Sequence, residues 1–202
     1  MITAYLWGTP NGYKVAIALE EMALEYDITW VNIGAGEQHQ PDYLGIAPNG
    51  RIPAIVDHDT GISLMESGAI LQYLAEKSGR FGGETLRERA EITQWLHWQM
   101  GGLGPMMGQA NHFRGLTEKV PYAETRYMDE VVRLFRVLDK QLEGRDYIAG
   151  DYSIADMAAA PWAGMSAYMN DDRLNACANV QAWIARNVAR PATARAISLS
   201  PR

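Results

Sequence analysis

The sequence predicts a mixed α/β unit at the start of the chain, followed by a unit built almost wholly from helices. In the first part, short segments rich in β-branched and aromatic residues alternate with a helical repeat. In the second part, apolar residues recur at helical spacing in most segments. The run GRFGG at 79–83 lies between the two patterns. We therefore expect a first domain over residues 1–78, a linker over 79–86 and a helical domain over 87–202.

The first unit is expected to run β-α-β, then a loop region, then β-β-α. A helical stripe covers residues 11–24, and Ser67 is a residue type that caps helices, so we expect it to start the last helix. Asp59-Thr60-Gly61 is a turn sequence that joins two short apolar runs into a hairpin. The expected strands are 2–7, 28–33, 53–57 and 62–66.

Helix start signals organise the second unit. Thr85 with Glu88 and Ser153 with Asp156 both have the spacing of a capping box, in which two side chains satisfy the first N–H groups of a helix. The run GGLGPMMG at 101–108 is expected to bend or break the helix that contains it. We assign the Ser153–Asp156 pair to folding and not to chemistry.

Composition narrows the function classes. The 202-residue chain has 48% hydrophobic residues and a formal net charge of -6, which argues against a general role in nucleic-acid binding. No apolar window approaches the length of a membrane span, and the N-terminus does not resemble a signal peptide. The four histidines lack the spacing of metal ligands, so no metal is predicted. We expect a cytoplasmic protein that uses neither membrane nor nucleic acid.

The chain has a single cysteine, Cys177. One cysteine can form neither an internal disulfide nor a CxxC pair, which fits a reducing compartment. We expect Cys177 to pack as a small apolar residue in the helical unit.

Several segments together resemble cytosolic glutathione transferases. They are TPNGYK at 9–14, PNGRIPAIVD at 48–57, MESGAILQYLAEK at 65–77 and GDYSIADMAAAPW at 150–162. TPNG at 9–12, WQMGGLGPMMGQ at 98–109 and PYAETRY at 121–127 are most similar to the bacterial Nu class, whose members act as oxidoreductases on glutathione-containing disulfides. The resemblance covers essentially the whole chain. It implies a thioredoxin-like N-terminal domain, an all-helical C-terminal domain, a homodimer, and one or two glutathione molecules at each site.

Thr9 and Asn11 are the candidate catalytic residues. A thiol attacks as its thiolate, and a helix N-terminus with donors aimed at the sulfur lowers the thiol pKa. The resemblance places the matching threonine and asparagine beside the glutathione sulfur. Other bacterial transferases carry a cysteine at this position, whereas this chain has Pro10. The alternative for both residues is ordinary turn and cap chemistry.

Ile52-Pro53 and Glu66-Ser67 are the candidate substrate-binding pairs. Family members have a cis-proline at the position of Pro53, and the residue before it can pair its backbone with the cysteinyl unit of glutathione. Ser67 at a helix N-terminus suits the γ-glutamyl carboxylate, and Glu66 suits the ammonium group. The alternatives are an edge-strand proline and a plain capping serine beside an exposed acid.

Further residues complete the set of candidates. Gln38 and Arg51 are assigned to the glycyl end of glutathione. The resemblance implies that Arg133 reaches the ligand across a dimer interface, and the alternative is a solvated charge on a helix at 122–142. Tyr5 competes as the thiolate donor, and Lys14 adds positive potential. Aromatic residues of the helical part, among them Trp95, Trp98, His97, His112 and Phe113, are candidates for a second ligand site or for the core.

The sequence therefore predicts a glutathione-dependent disulfide-bond oxidoreductase in which the ligand supplies the thiolate. Two alternatives stay open. One is conjugation of glutathione to electrophiles, and the other is a non-catalytic glutathione-binding or scaffold role.

Overall fold

The computed structural model describes residues 1–200, and its contacts divide the chain into two units. The first unit contains Met1–Gly82 together with the C-terminal stretch from Val188 on, and the second is Gly83–Asn187. The first unit is the expected thioredoxin-like α/β fold, and the second is all-helical.

A four-stranded mixed sheet forms the centre of the first unit. Its strands are β1 Ile2–Leu6, β2 Tyr26–Trp30, β3 Ala54–Asp57 and β4 Ile62–Met65. They lie in the order β2-β1-β3-β4, with β1 parallel to β2 and the other neighbours antiparallel. The predicted turn at Asp59-Thr60-Gly61 connects β3 to β4, and Gly61 has the positive φ of 71° that such a turn needs.

Helices make up most of the rest of the described residues. They are α1 Pro10–Met22, α2 Pro41–Ile46, α3 Ser67–Ser78, α4 Leu86–Trp98, α5 Gly104–Gly115, α6 Pro121–Gln141, α7 Ile154–Ala163, α8 Ser166–Met169, α9 Asp172–Asn175, α10 Ala178–Val188 and α11 Pro191–Ser198. A short 3-10 helix, Glu37–His39, precedes α2. None of the helices in residues 1–200 combines the length and apolar character needed to cross a membrane.

Helix α1 carries the core of the first unit. Its residues Val15, Ala18 and Leu19 are fully buried, and the helix packs against α3 and α11. On the sheet, Ile2, Ala4 and Leu6 alternate inward along β1, as the two-residue period of a strand requires. Burial of these side chains holds the start of α1 above the end of β1.

Strand β2 begins and ends earlier in the chain than predicted. The sequence predicted residues 28–33, but the strand runs from Tyr26 to Trp30 in parallel register with β1. Asn32 ends the extended backbone because its Oδ1 accepts from the N–H groups of Gly34 and Ala35, at 3.0 and 3.1 Å. Such a local turn competes with strand pairing. The predicted loop region also contains the short helix α2.

The C-terminal segment groups with the first unit and not with the helical unit in which the sequence-based boundary of 87–202 placed it. Helix α11 packs against α1. Arg190, at its start, makes a two-pronged ion pair with buried Glu21 at 2.7 and 2.8 Å, and Arg195 contacts Glu20 at 2.7 Å. These partners are separated by most of the chain, so no local pattern reveals the contact.

Both predicted capping boxes are present in the helical unit. The Thr85 hydroxyl accepts from the Glu88 N–H at 3.2 Å, and the Glu88 carboxylate accepts from Thr85 N–H at 3.1 Å. The Ser153–Asp156 box starts α7 in the same way, but there both side chains are buried. At the predicted break, the helical backbone widens to a π-helical turn at Gln99–Leu103 and continues into α5.

Candidate functional site

A cleft of about 180 Å³ in the first unit gathers most of the predicted site residues. It is lined by Asn11, Asn49, Arg51, Ile52, Pro53, Met65, Glu66 and Ser67. These come from the start of α1, the loop before β3, and the junction between β4 and α3. Six of the eight were predicted. Asn49 and Met65 were missed, although both directly adjoin predicted motifs.

The start of α1 forms one side of the cleft. Thr9 is the N-cap, with an extended backbone, and its Oγ1 accepts from the Gly12 N–H at 3.3 Å. Asn11 follows in the first helical turn, where N–H groups and the helix dipole favour negative charge. Thr9 therefore caps the helix through its hydroxyl oxygen, and its hydroxyl hydrogen can still donate to another group.

Gly12 allows this turn to lie close to the strand before it. A Cβ placed on Gly12 would stand 2.2 Å from the carbonyl oxygen of Trp7, which no real side chain tolerates. The close backbone approach sets the position of Thr9 and Asn11 relative to β1. The sequence showed a glycine in a turn but gave no sign of this contact.

The loop before β3 contributes a backbone edge. The Ile52-Pro53 peptide is cis, as the family resemblance implies. Neither the N–H nor the C=O of Ile52 is paired in the backbone hydrogen bonds of residues 1–200. The Tyr43 hydroxyl donates to the Arg51 carbonyl at 2.6 Å, and burial raises the pKa of Tyr43 to about 12, so it remains a neutral donor. This contact holds the loop while Arg51 itself stays exposed.

The junction of β4 and α3 differs from its prediction in one respect. Ser67 is the first residue of α3 and not its cap; the cap position belongs to Glu66, which has a φ of 70° and makes no side-chain cap bond. Such a backbone is rare for a residue other than glycine, and it marks functional sites often enough to support one here. Asn49 Nδ2 donates to Glu66 Oε1 at 3.4 Å, which links the two loops across the cleft.

Lys14 lies beneath this junction. Its side chain is buried, with 1% exposure, and Nζ donates to Ser67 Oγ at 3.5 Å. Burial lowers the pKa of Lys14 to about 7, with the charge of Glu66 acting in the opposite direction. The sequence pattern treated Lys14 only as a source of positive potential. The signal for its burial was its position four residues before Ala18, on the face of α1 that points to the core.

Gln38 does not line the cleft. It is buried in the 3-10 helix, its Nε2 lies 3.2 Å from His39 Nε2, and its side-chain oxygen has no hydrogen-bond partner among the described residues. The backbone carbonyl oxygen of Gln38 lies 3.4 Å from the position that a Cβ on Gly50 would take. Gln38 is thus next to the loop that carries Arg51.

Tyr5 is half-buried and packs against the core of the first unit. Its ring meets that of Tyr43 edge to face, with the centroids 6.0 Å apart, and it covers a buried apolar cluster that includes Val31, Ala47 and Ala54. The cleft lining does not include it. The packing role therefore accounts for Tyr5 better than the competing assignment as thiolate donor.

Arg133 lies in the second unit, on α6. It is 59% exposed and makes a two-pronged contact with Glu130, at 2.7 and 2.8 Å. It borders an open hollow of about 830 Å³ lined by Met106, Tyr122, Thr125, Arg126, Tyr127, Asp129 and Glu130. Within the single chain, Arg133 is therefore a surface residue of the helical unit.

The other aromatic candidates of the helical unit differ in their burial and in their contacts. Trp95 is buried and meets Trp98 edge to face, and the ring of Phe113 stacks on that of Tyr127 at 5.3 Å. His97 Nδ1 contacts the Thr93 carbonyl at 2.9 Å, and the His112 ring meets Phe113 edge to face. Trp95 therefore belongs to the core of the helical unit, whereas His97 and His112 are exposed.

The single cysteine is buried and lacks the properties of a reactive thiol. Cys177 is 5% exposed, its Sγ donates to the Arg173 carbonyl at 3.6 Å, and burial raises the pKa of its thiol. A thiol of this kind is a poor nucleophile. Among residues 1–200, no group of three or more His, Cys, Asp and Glu side chains is placed to hold a metal ion.

A thioredoxin-like unit with this cleft, followed in sequence by an all-helical unit, defines the class of the protein as glutathione transferase-like. Residues 2–76 match the family of glutathione S-transferase N-terminal domains, and residues 105–191 match the corresponding C-terminal domains. The chain belongs to the glutathione S-transferase family, and it is an enzyme of that type.

Individual relatives cover almost the full chain. It is 48% identical to the disulfide-bond oxidoreductase YfcG of Escherichia coli (strain K12), over 98% of this chain and 94% of that protein. A glutathione transferase from Pseudomonas putida, solved with one glutathione disulfide per subunit, superposes with a TM-score of 0.94 at 38% identity, covering 99% of this chain and 92% of that one.

Two further solved structures extend the comparison. A Burkholderia graminis glutathione transferase with two glutathione molecules per subunit has a TM-score of 0.94 and 40% identity, with coverage of 100% and 89%. Yeast Ure2p in complex with S-hexylglutathione has a TM-score of 0.90 and 33% identity, with 97% of both chains covered.

Proposed function

We propose that this protein is a glutathione-dependent disulfide-bond oxidoreductase whose nucleophile is the thiolate of bound glutathione. One observation carries the proposal: the cleft is lined by donors and by a backbone edge but by no cysteine, and the chain's only thiol is buried in the other unit. Thiol–disulfide exchange at this cleft therefore requires a thiol that the ligand brings.

The cleft matches glutathione group by group. The γ-glutamyl end, with its carboxylate and ammonium, fits the start of α3, where Ser67 offers donors and Glu66 offers an acid. The cysteinyl backbone fits the unpaired N–H and C=O of Ile52. The glycyl carboxylate fits Arg51 and the neighbouring Gln38. This arrangement directs the sulfur toward Thr9 and Asn11 at the start of α1.

The reaction then consists of two exchanges. The thiolate of bound glutathione attacks one sulfur of a disulfide, a new S–S bond forms, the old one breaks, and the departing thiolate takes up a proton. A second glutathione thiolate attacks the mixed disulfide at the glutathione sulfur, which releases the second thiol and leaves glutathione disulfide. Two glutathiones are oxidised for each disulfide reduced. Thr9, Asn11 and the α1 dipole stabilise the negative sulfur.

The relatives support the reaction and the ligand of this proposal. The name of the E. coli protein gives the reaction, and the Pseudomonas and Burkholderia structures hold glutathione disulfide or two glutathiones per subunit. We propose the same occupancy here, one disulfide or two glutathiones per site.

We also propose a homodimer in which Arg133 reaches the ligand of the partner subunit. Sedimentation velocity at micromolar concentration tests the dimer.

The decisive experiment measures glutathione-linked reduction of 2-hydroxyethyl disulfide by the purified protein, coupled to glutathione reductase. The wild type should be active, and Asn11→Ala should lower kcat/KM about 10-fold or more, in line with the loss of one donor to a developing anion. Asn175→Ala is the matched control, because Asn175 is exposed at the end of α9 and lies in the helical unit. An inactive wild type would rule out the proposed reaction.

Conjugation of glutathione to electrophiles is the second candidate. It is favoured by the Ure2p structure, whose ligand S-hexylglutathione is a thioether of the kind that conjugation produces. The same preparation is assayed with an aryl halide. A conjugation rate well above the rate of disulfide reduction would make this the main activity. Failure to bind glutathione at millimolar concentration would favour a scaffold role over both.

A further inference from the structure

Lys14 is the only buried lysine or arginine among residues 1–200. Taking an ammonium group out of water is costly unless hydrogen bonds and opposite charge compensate for it. Its Nζ contacts Ser67 Oγ in α3, and the negative charge of Glu66 acts on it. The enzyme therefore places a cation directly behind the two residues proposed to hold the glutamyl end of glutathione.

In the hydrogen bond between Lys14 and Ser67, the lysine is the donor. An ammonium group has donors and no lone pair, so the serine oxygen must accept. The hydroxyl hydrogen of Ser67 must consequently point away from Lys14. Ser67 also begins α3 and lines the cleft, so its hydroxyl group and its backbone N–H lie at the helix end that favours an anion.

We propose that Lys14 is a positioning residue for the γ-glutamyl α-carboxylate of glutathione, acting through the Ser67 hydroxyl. This inference rests on the proposed binding of glutathione in the cleft. Lys14 orients the donor and supplies a buried positive charge that the carboxylate neutralises. The lowered pKa of Lys14 agrees with such a role, because a bound anion favours the charged form of a buried lysine.

Calorimetry with two ligands tests the proposal. One is S-methylglutathione, and the other is S-methyl-4-aminobutyryl-cysteinyl-glycine, which lacks only the α-carboxylate. Lys14→Met should weaken binding of S-methylglutathione about 10-fold, as expected for a hydrogen bond to a charged group, and should change binding of the decarboxylated ligand less than about 2-fold. Lys140→Met removes an equal charge from an exposed site and should leave both affinities unchanged.

The outcomes separate this inference from the proposed function. If Lys14→Met weakened the binding of both ligands equally, Lys14 would have a merely structural role and the inference would be overturned. Absence of wild-type binding to S-methylglutathione would instead refute glutathione binding itself. Should Lys14→Met not fold, Ser67→Ala provides the second test: it must reduce the preference for the carboxylate-bearing ligand, and an undiminished preference would overturn the inference.

Discussion

At the scale of single residues, the start of α1 combines folding and chemistry in the same atoms. Thr9 Oγ1 caps the helix through the Gly12 N–H, and the hydroxyl hydrogen is still available to a sulfur nearby. Asn11 lies in the first turn of the helix and lines the cleft. A loss of activity on mutating Thr9 could therefore reflect either a frayed helix or a lost donor, and the two roles call for variants that separate them.

Thr9→Asp separates capping from sulfur stabilisation. Aspartate is a good N-cap, so we expect the free energy of unfolding to change by less than about 0.5 kcal/mol. Its negative charge beside the thiolate should raise the thiol pKa and lower disulfide reduction about 10-fold or more at pH 7. Thr9→Ser, which keeps cap and hydroxyl, is the control and should retain most activity. Full activity in Thr9→Asp would show that Thr9 is only a cap.

Gly12→Ala tests the close approach of α1 to β1. The new methyl group would overlap the Trp7 carbonyl oxygen, so the backbone of Trp7–Thr9 must move. We expect a loss of about 2 kcal/mol or more in the free energy of unfolding, measured with urea, together with reduced activity. Gly45→Ala is the matched control, since a Cβ there meets no atom within 4 Å. Equal stability of the two variants would contradict the close contact.

At the scale of elements, the two capping boxes show how tertiary context changes one local motif. The box at α4 is exposed, whereas Asp156 at α7 is fully buried and also accepts from Ile148 N–H at 3.0 Å and Trp183 Nε1–H at 2.8 Å. Burial raises the pKa of Asp156 to about 6, and these N–H donors act in the opposite direction. At neutral pH the carboxylate is thus ionised and joins three parts of the helical unit.

We expect Asp156→Ala to cost about 3 kcal/mol or more of unfolding free energy. Removing the carboxylate leaves the N–H groups of Ile148 and Trp183 buried without an acceptor, and each such group carries a desolvation penalty of about 1–3 kcal/mol. Glu88→Ala, which breaks the exposed box at α4, should cost about 1 kcal/mol or less. Urea unfolding of both variants measures the difference. Similar losses would mean that the two boxes are equivalent.

At the scale of the molecule, acid stability should depend on a charge cluster that joins the sheet to α3. Asp57, at the end of β3, is buried and accepts from Lys77 at 2.8 Å and from the Tyr73 hydroxyl at 2.5 Å. Burial alone would raise the pKa of Asp57, but these hydrogen bonds outweigh it and lower the pKa to about 2. Asp59 adds contacts to Lys77 and to the N-terminal amine.

The sign of the pH dependence follows from this lowered pKa. The folded state favours ionised Asp57, so its contribution is complete above the unfolded pKa near 3.8 and is lost as the pH falls through about 2. We expect Asp57→Asn to be less stable than the wild type at pH 6 and to show a smaller loss of thermal stability between pH 4 and pH 2. If the thermal stability of the two proteins fell equally between pH 4 and pH 2, other carboxylates would be responsible for the loss of stability in acid.

Local patterns were enough for much of this structure. The alternation along β1, the stripe of α1, the hairpin turn and both capping boxes each depend on residues close in sequence, and the structure has all of them. Local competition was harder to anticipate, as at Asn32, where side-chain bonds to two N–H groups end β2 early. The cap position of α3 was predicted at Ser67 but lies at Glu66, because a single residue separates the cap from the first turn.

By itself, the sequence determined the class of fold, the lack of a cysteine at the start of α1 and the motifs that form the cleft, because periodicity, caps and turns depend on near neighbours. Tertiary structure alone decided that Lys14 lies buried behind Ser67, that Tyr5 packs on Tyr43, and that α11 returns to α1 through Arg190 and Glu21. These contacts join residues far apart in the chain, and their energy comes from burial and charge pairing that exist only once the elements have packed.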